Sequence, residues 1–250
     1  MGTATPFHDA TRVYDALIDW PKRLAHEADF YRRIFSRRGV QRVVDVACGP
    51  GHHAAMFHRW GHVVQGSDVS DEMIAQAKQL HGTPAGLEWL VRSFEQPVEA
   101  GEPFDAALCV GNSLALAADH PTVELVISRL VQAVRQGGVI IVHVLNLWSL
   151  PDGPCRWQKK VRISGPSGDR LVVKGVHRAG TRGFVDILVS TCSASPTLES
   201  ESIPLIGLES RDLERFFIRA GCRELEIRGG YHEPTYQRET STDLIAVAIR

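Results

Sequence analysis

The segment that most restricts the fold is VVDVACGPGHH, Val43–His53, where an apolar β-branched run passes through glycines into a helix-compatible stretch. A strand that enters a helix through such a turn presents bare backbone at its carboxyl end, where a ligand can approach closely. Further short β-rich runs follow at His62–Asp68, Leu87–Arg92, Phe104–Val110 and Val139–Leu145, with helical stretches between them. Ser70 is placed to cap a helix over Asp71–Leu80, and Pro121 suits the first turn of a helix running to Gln136. Strands alternating with helices pair in parallel through right-handed crossovers, which predicts an α/β fold with an open, doubly wound sheet covered on both faces.

The rest of the chain has a different texture. From Val13 to Arg38, Leu17, Leu24, Phe30, Ile34 and Phe35 recur at roughly helical spacing, predicting one or two helices broken near Pro21. After Leu150, Val161–Ile163, Leu171–His177 and Phe184–Thr191 are strand-like and joined by glycine-containing turns, an antiparallel insertion. The α/β rhythm returns with a helix over Ser210–Ala220 and strands at Glu224–Arg228 and Asp243–Ile249. The expected domains are an amino-terminal helical cap or lid over 1–40, a core of 41–150 with 205–250, and a β insertion over 151–204 that closes over an acceptor site.

Charge and cysteine usage narrow the partners. With 28 basic and 29 acidic residues among 250, the net charge of −1 gives no field that would attract phosphate backbones, so nucleic acid is not an expected partner. Met1–Arg12 lacks an apolar leader region, and Val139–Val144 is too short to cross a bilayer, so no membrane association is expected. Cys48, Cys109, Cys155, Cys192 and Cys222 are widely spaced, without metal-ligand spacing, which suggests reduced thiols in a cytoplasm. His52, His53, His58 and His62, on or beside one helix, face several directions, and no metal is expected.

Two carboxylates define the predicted site. Asp68 ends the second strand, where an acid accepts hydrogen bonds from both hydroxyls of a ribose. Gly49-x-Gly51-x-x-Ala54 also satisfies the dinucleotide fingerprint, so the glycines alone leave an NAD-dependent oxidoreductase open. Asp45 lies inside the apolar first strand. A buried carboxylate there is costly unless paired, and a ligand with a cationic amino end suits it, whereas a pyrophosphate would be repelled. S-adenosylmethionine has such an end.

DVACGPG at Asp45–Gly51, SDVSDEMIAQA at Ser67–Ala77, FDAALCVGNS at Phe104–Ser113 and QGGVIIV at Gln136–Val142 together resemble the class I S-adenosylmethionine-dependent methyltransferases. The resemblance implies a Rossmann-like, mostly parallel sheet of seven strands, closed by an antiparallel hairpin. It implies S-adenosylmethionine as cofactor and S-adenosylhomocysteine as product. By position, Gly49 and Gly51 would border the methionine part, Asp68 the ribose, Ser93 and Phe94 the adenine, and Asp45, Ala47, Val69 and Val110 the same cofactor site. Ser93 stands where an Asp or Asn is commoner in that class. CVGNSLA and VYDALIDWPKRLAHEADF are similar to segments of the glycine N-methyltransferase and glycine/sarcosine methyltransferase family. That likeness implies Arg23 on the cofactor carboxylate, Tyr14 and Trp20 in a lid, and Asn112 facing the acceptor. The family's glycine-carboxylate arginine aligns with Leu145, so glycine is not the acceptor the sequence points to. Arg156 or Lys159 would be the replacement cation.

Methyl transfer from a sulfonium is an in-line displacement in which alignment and exclusion of water carry most of the catalysis. Asn112, Asn146 and His143, at strand ends, are the expected acceptor-orienting residues, and His143 or His232 would act as base toward a hydroxyl. The expected partner is a small-molecule acceptor, N-methylation being preferred to O-methylation, with self-association left open. A non-catalytic module that binds S-adenosylmethionine is the alternative.

Overall fold

The computed structural model describes residues 15–165 and 168–250. Two compact units are present: Trp20–Ser149 with Leu208–Arg250, and Leu150–Gly207 with Asp15–Asp19.

The larger unit is a seven-stranded sheet with helices. Its strands are β1 (Arg42–Val46), β2 (Val63–Asp68), β3 (Leu87–Val91), β4 (Phe104–Cys109), β5 (Val134–Leu145), β10 (Glu224–Arg228) and β11 (Asp243–Ile249), in the order β10-β11-β5-β4-β1-β2-β3. Only β11 runs against its neighbours. The central strands are buried on both faces: Val43, Val44, Ala106, Ala107, Leu108, Cys109 and Val139–Val142 are all fully shielded. This is why they read as continuous apolar runs without alternation. Chain order reverses between β1 and β4, so their carboxyl ends flank the crevice where open α/β sheets take ligands.

The expected break near Pro21 is present: residues 15–16 are helical, 17–19 are not, and helix α1 then runs Trp20–Arg38. Pro21 lies in the first turn, where its missing N–H costs no intrahelical bond. Trp20, Glu27, Phe30, Tyr31 and Phe35 form its buried stripe. Helices α2 (His52–Arg59) and α3 (Asp71–His81) follow β1 and β2. Ser70 caps α3 as expected, its hydroxyl accepting the Met73 amide at 3.2 Å. Helix α4 spans His120–Ala133, capped by Asp119 and with Pro121 in its first turn; it ends before the predicted Gln136 because β5 begins at Val134. Helix α5 is Ser210–Arg219.

The smaller unit is an antiparallel sheet ordered β6-β7-β8-β9: Arg156–Gly165, Gly168–Ala179, Arg182–Thr191 and Leu198–Ile206. The fourth strand was not anticipated. Its alternation of Glu199 and Glu201 with serines gives it little apolar signature. Val172, Ile187 and Val189 form this unit's core together with Leu17. Among the described residues no helix is long and apolar enough to cross a membrane.

Candidate cofactor and acceptor site

The two non-glycine residues with positive φ among the described residues are Ala47 (φ 57°) and Asn112 (φ 77°). They stand just past β1 and β4, on either side of the switch point. Such left-handed conformations cost of order 1–3 kcal/mol and cluster at functional sites.

After β1, the turn is tied to the neighbouring strand. The Gly49 amide donates to Asp68 Oδ2 at 2.8 Å and the Ser70 amide to Asp68 Oδ1 at 3.0 Å. Burial raises the Asp68 carboxyl above its usual range, against the pull of the Ser70, Gly49 and Val69 amides. Gly49 adopts φ 55°. Gly51 has a packing reason of its own: a Cβ there would lie 2.4 Å from the Trp89 ring, whose indole N–H is fixed on the Gly82 carbonyl.

Asp45 is 1% exposed, and neither carboxylate oxygen completes a hydrogen bond, although the Ala54 amide faces it. Burial pushes its carboxyl up to about 8; Asp68 and Glu27 add to the rise, while Arg23 and the Ala54 amide oppose it. A buried carboxylate without partners is the cost that the sequence predicted a ligand would offset. It fits a cofactor with an ammonium end.

Around it runs a buried polar chain. Arg23 Nε donates to Glu27 Oε1 at 2.8 Å, and its guanidinium lies 5.2 Å from the Trp20 ring. It also flanks Gly111, where an added Cβ would meet an Arg23 nitrogen at 3.3 Å. Trp20 is buried and stacks on His52 at 4.2 Å. His53 Nε2 lies 2.7 Å from Glu27 Oε2. Burial pushes the Glu27 carboxyl up, but His53 and Arg23 together outweigh it and hold it at about 2. His53 itself is lowered by burial, with Glu27 opposing. Tyr31 Oη lies 3.3 Å from Tyr231 Oη, and Tyr231 Oη lies 3.2 Å from His143 Nδ1.

At the ends of β4 and β5, the Gly111 amide donates to His143 Nδ1 at 3.3 Å, and His143 Nε2 lies 3.1 Å from Asp243 Oδ1. Asn112 Oδ1 accepts the Leu145 amide at 3.0 Å, a tie between the two strand ends rather than a cap on the turn that follows. Asn146 is fully buried. Its Nδ2 donates to the carbonyls of Arg238 and Ser241, and its Oδ1 accepts from the Trp148 amide and the Tyr236 hydroxyl. That fills all four of its bonding positions. His232 Nε2 contacts the His26 carbonyl at 2.7 Å.

Val69 is 66% exposed, Phe94 is half-buried, and Val110 is buried. The Ser93 hydroxyl accepts the Glu95 amide. Tyr14 lies outside the described residues. Arg156 and Lys159 are exposed on β6. Sequence reasoning missed Asp243 and Tyr231. No signal along the chain marks Asp243, whose place is set by register, opposite Leu145 across the β5–β11 ladder.

Residues 43–138 match the family described as Methyltransferase domain. Glycine N-methyltransferase of Rattus norvegicus is 30% identical over 152 residues, covering 55% of this chain and 52% of the relative, so the chain spans about half the length of that relative. The sugar N-methyltransferase KedS8 from a Streptoalloteichus species superposes with a TM-score of 0.75 at 23% identity, over 100% of this chain and 98% of that one. CalS10, an amino pentose methyltransferase of Micromonospora echinaspora solved with S-adenosylmethionine bound, gives 0.72 at 20% identity over 100% of both chains. The chain therefore has the fold of these methyltransferase structures, and its residues 43–138 match a methyltransferase domain.

Proposed function

We infer that the chain methylates an amino group of a small molecule. The observation that carries the reading is the acidic character of the acceptor edge. Where the resemblance to glycine-using enzymes calls for an arginine, β5 has Leu145, and its partner across the ladder is Asp243, whose side chain is 24% exposed. An acid there favours an acceptor that arrives as an ammonium over one that arrives as a carboxylate.

S-adenosylmethionine, when bound, supplies an electrophilic methyl group on a sulfonium. Asp45 holds its amino end, Asp68 its ribose, and Arg23 its carboxylate, with Trp20 beside the same end. Val69 and Phe94 offer apolar surface to the adenine. On the acceptor side, the Asp243 carboxylate draws in the ammonium and takes the proton that must leave before nitrogen can attack, and His143, between Asp243 and Tyr231, positions that carboxylate. Asn112 fixes the relation of the β4 and β5 ends. Asn146 anchors the Arg238–Ser241 loop that leads into β11.

The test is turnover with a panel of amino sugars, small amines and their hydroxyl analogues, read as S-adenosylhomocysteine release. Methylation of amines with hydroxyl analogues inert supports the reading. Methylation confined to hydroxyls, or cofactor binding without turnover of any acceptor, refutes it.

A further inference from the structure

The smaller unit gathers a thiol, an imidazole and a carboxylate on one face of its sheet. Gly175 on β7 pairs with Asp186 on β8 and with Trp157 on β6, and His177 pairs with Phe184. Side chains two apart along a strand share a face, so His177, Asp186 and the empty position at Gly175 lie together, with Cys155 just before β6. Asp186 Oδ2 is 2.7 Å from His177 Nδ1 and 3.6 Å from Cys155 Sγ. One donor atom from each of the three lies within 4.8 Å of the others.

Gly175 makes the meeting possible. Cys155 and Asp186 approach from strands on opposite sides of β7, and strands two apart are about 9–10 Å from each other. A Cβ at Gly175 would lie 2.5 Å from Cys155 Sγ, inside the space the thiol uses to cross. The carboxylate is oriented from its far side, where Ser202 on β9 donates to Oδ1 at 2.7 Å. The His177 ring is stacked on Phe184 at 4.8 Å. All three donor residues are half-buried, which leaves a path from solvent.

We propose that Cys155 Sγ, His177 Nδ1 and Asp186 Oδ2 form a zinc site with its fourth position open to water. The mixed sulfur, nitrogen and oxygen set is that of a borderline-soft cation and disfavours magnesium or calcium, which take oxygen ligands. Tetrahedral zinc with bonds of about 2.0–2.3 Å separates its ligands by about 3.3–3.7 Å. The Cys155–Asp186 spacing already matches, and the His177–Asp186 hydrogen bond opens by about 0.6 Å on metal entry. The Cys155 thiol proton leaves to solvent as the zinc–sulfur bond forms. Bound metal ties the segment before β6 to β7 and β8.

Cobalt(II), then zinc, is titrated into the chelator-stripped, tag-free full chain. One equivalent of cobalt is expected to give a thiolate-to-cobalt charge-transfer band and tetrahedral d–d bands, both abolished by zinc. The Cys155→Ser variant loses the charge-transfer band, while Cys192→Ser and Cys222→Ser keep it. Ser202→Ala leaves every ligand in place and weakens zinc about 10–100-fold, the usual cost of removing a ligand's outer partner. Circular dichroism of each variant verifies folding, and Ser202→Ala carries the test if Cys155→Ser does not fold. Absence of the band in the parent chain, its survival in Cys155→Ser, or unchanged zinc affinity in Ser202→Ala overturns the proposal and leaves a hydrogen-bonded cluster only.

Discussion

The Gly49 amide donates to Asp68 Oδ2 at 2.8 Å, so the carboxylate that ends β2 also fixes the turn that ends β1. Substitution at Asp68 therefore removes the proposed ribose contact and loosens the turn together. Asp68→Ala is expected to weaken S-adenosylmethionine binding about tenfold to 150-fold, one charge-assisted hydrogen bond being worth about 1.5–3 kcal/mol. Asp68→Asn should lose less, because its amide oxygen still accepts one of the two backbone N–H groups. Isothermal calorimetry measures both, and an Asp68→Ala dissociation constant equal to the parent's contradicts the assignment.

Arg23 lies between Glu27 and Gly111, with Trp20 beside it. Arg23→Ala is expected to raise the cofactor dissociation constant about tenfold or more through loss of one charged hydrogen bond. S-adenosylhomocysteine, which keeps the same carboxylate, should be weakened equally. Unequal effects on the two ligands would place Arg23 elsewhere than on the carboxylate.

Asp243 and His143 separate acceptor chemistry from cofactor binding. Asp243→Asn is expected to lower kcat/KM for an amine by about 10²–10⁴, the usual contribution of acid–base catalysis, with cofactor affinity unchanged. Tyr231→Phe keeps the ring and removes the hydroxyl contact with His143, and its loss should be smaller. Parallel losses in cofactor affinity and turnover would mean that Asp243 only holds β11 in place.

Acid stability follows from Glu27. Its folded value of about 2 lies below the ordinary 4.5, so its contribution is complete above pH 4.5 and is lost as pH falls toward 2. The shift corresponds to about 3 kcal/mol. His53 acts with the same sign, because its lowered value favours the neutral ring and stability drops as pH falls below 6.5. Urea unfolding at pH 7 and pH 3 should show Glu27→Gln less stable than the parent at pH 7, with the difference smaller by about 2 kcal/mol at pH 3. An equal difference at both values would show that the carboxylate charge contributes nothing.

The sheet was legible because its central strands are buried on both faces, which leaves runs at Val43–Val46 and Val139–Val144 that are apolar but for Asp45 and His143. Asp45 and Asp68 were legible because a carboxylate in or ending such a run has few structural reasons to be there. What stayed hidden is held by register. Asp243 reaches His143 only through antiparallel pairing of β11 with β5, and Cys155, His177 and Asp186 meet only because Gly175 leaves a gap on the strand between. No spacing along the chain encodes either. Asn146 looked like an acceptor residue from its place at a strand end, yet its amide is bound to backbone carbonyls nearly a hundred residues away.

The central claim is that the unpartnered Asp45 carboxylate receives the amino end of S-adenosylmethionine. Burial holds that carboxyl near 8, so at pH 7 it is mostly protonated before binding, and an arriving ammonium favours its ionised form. Calorimetry at pH 7 in two buffers of different ionisation enthalpy should therefore show release of up to about one proton on cofactor binding, with none from Asp45→Asn. A parent protein that binds without proton release, or an Asp45→Asn variant that releases as much, would contradict it.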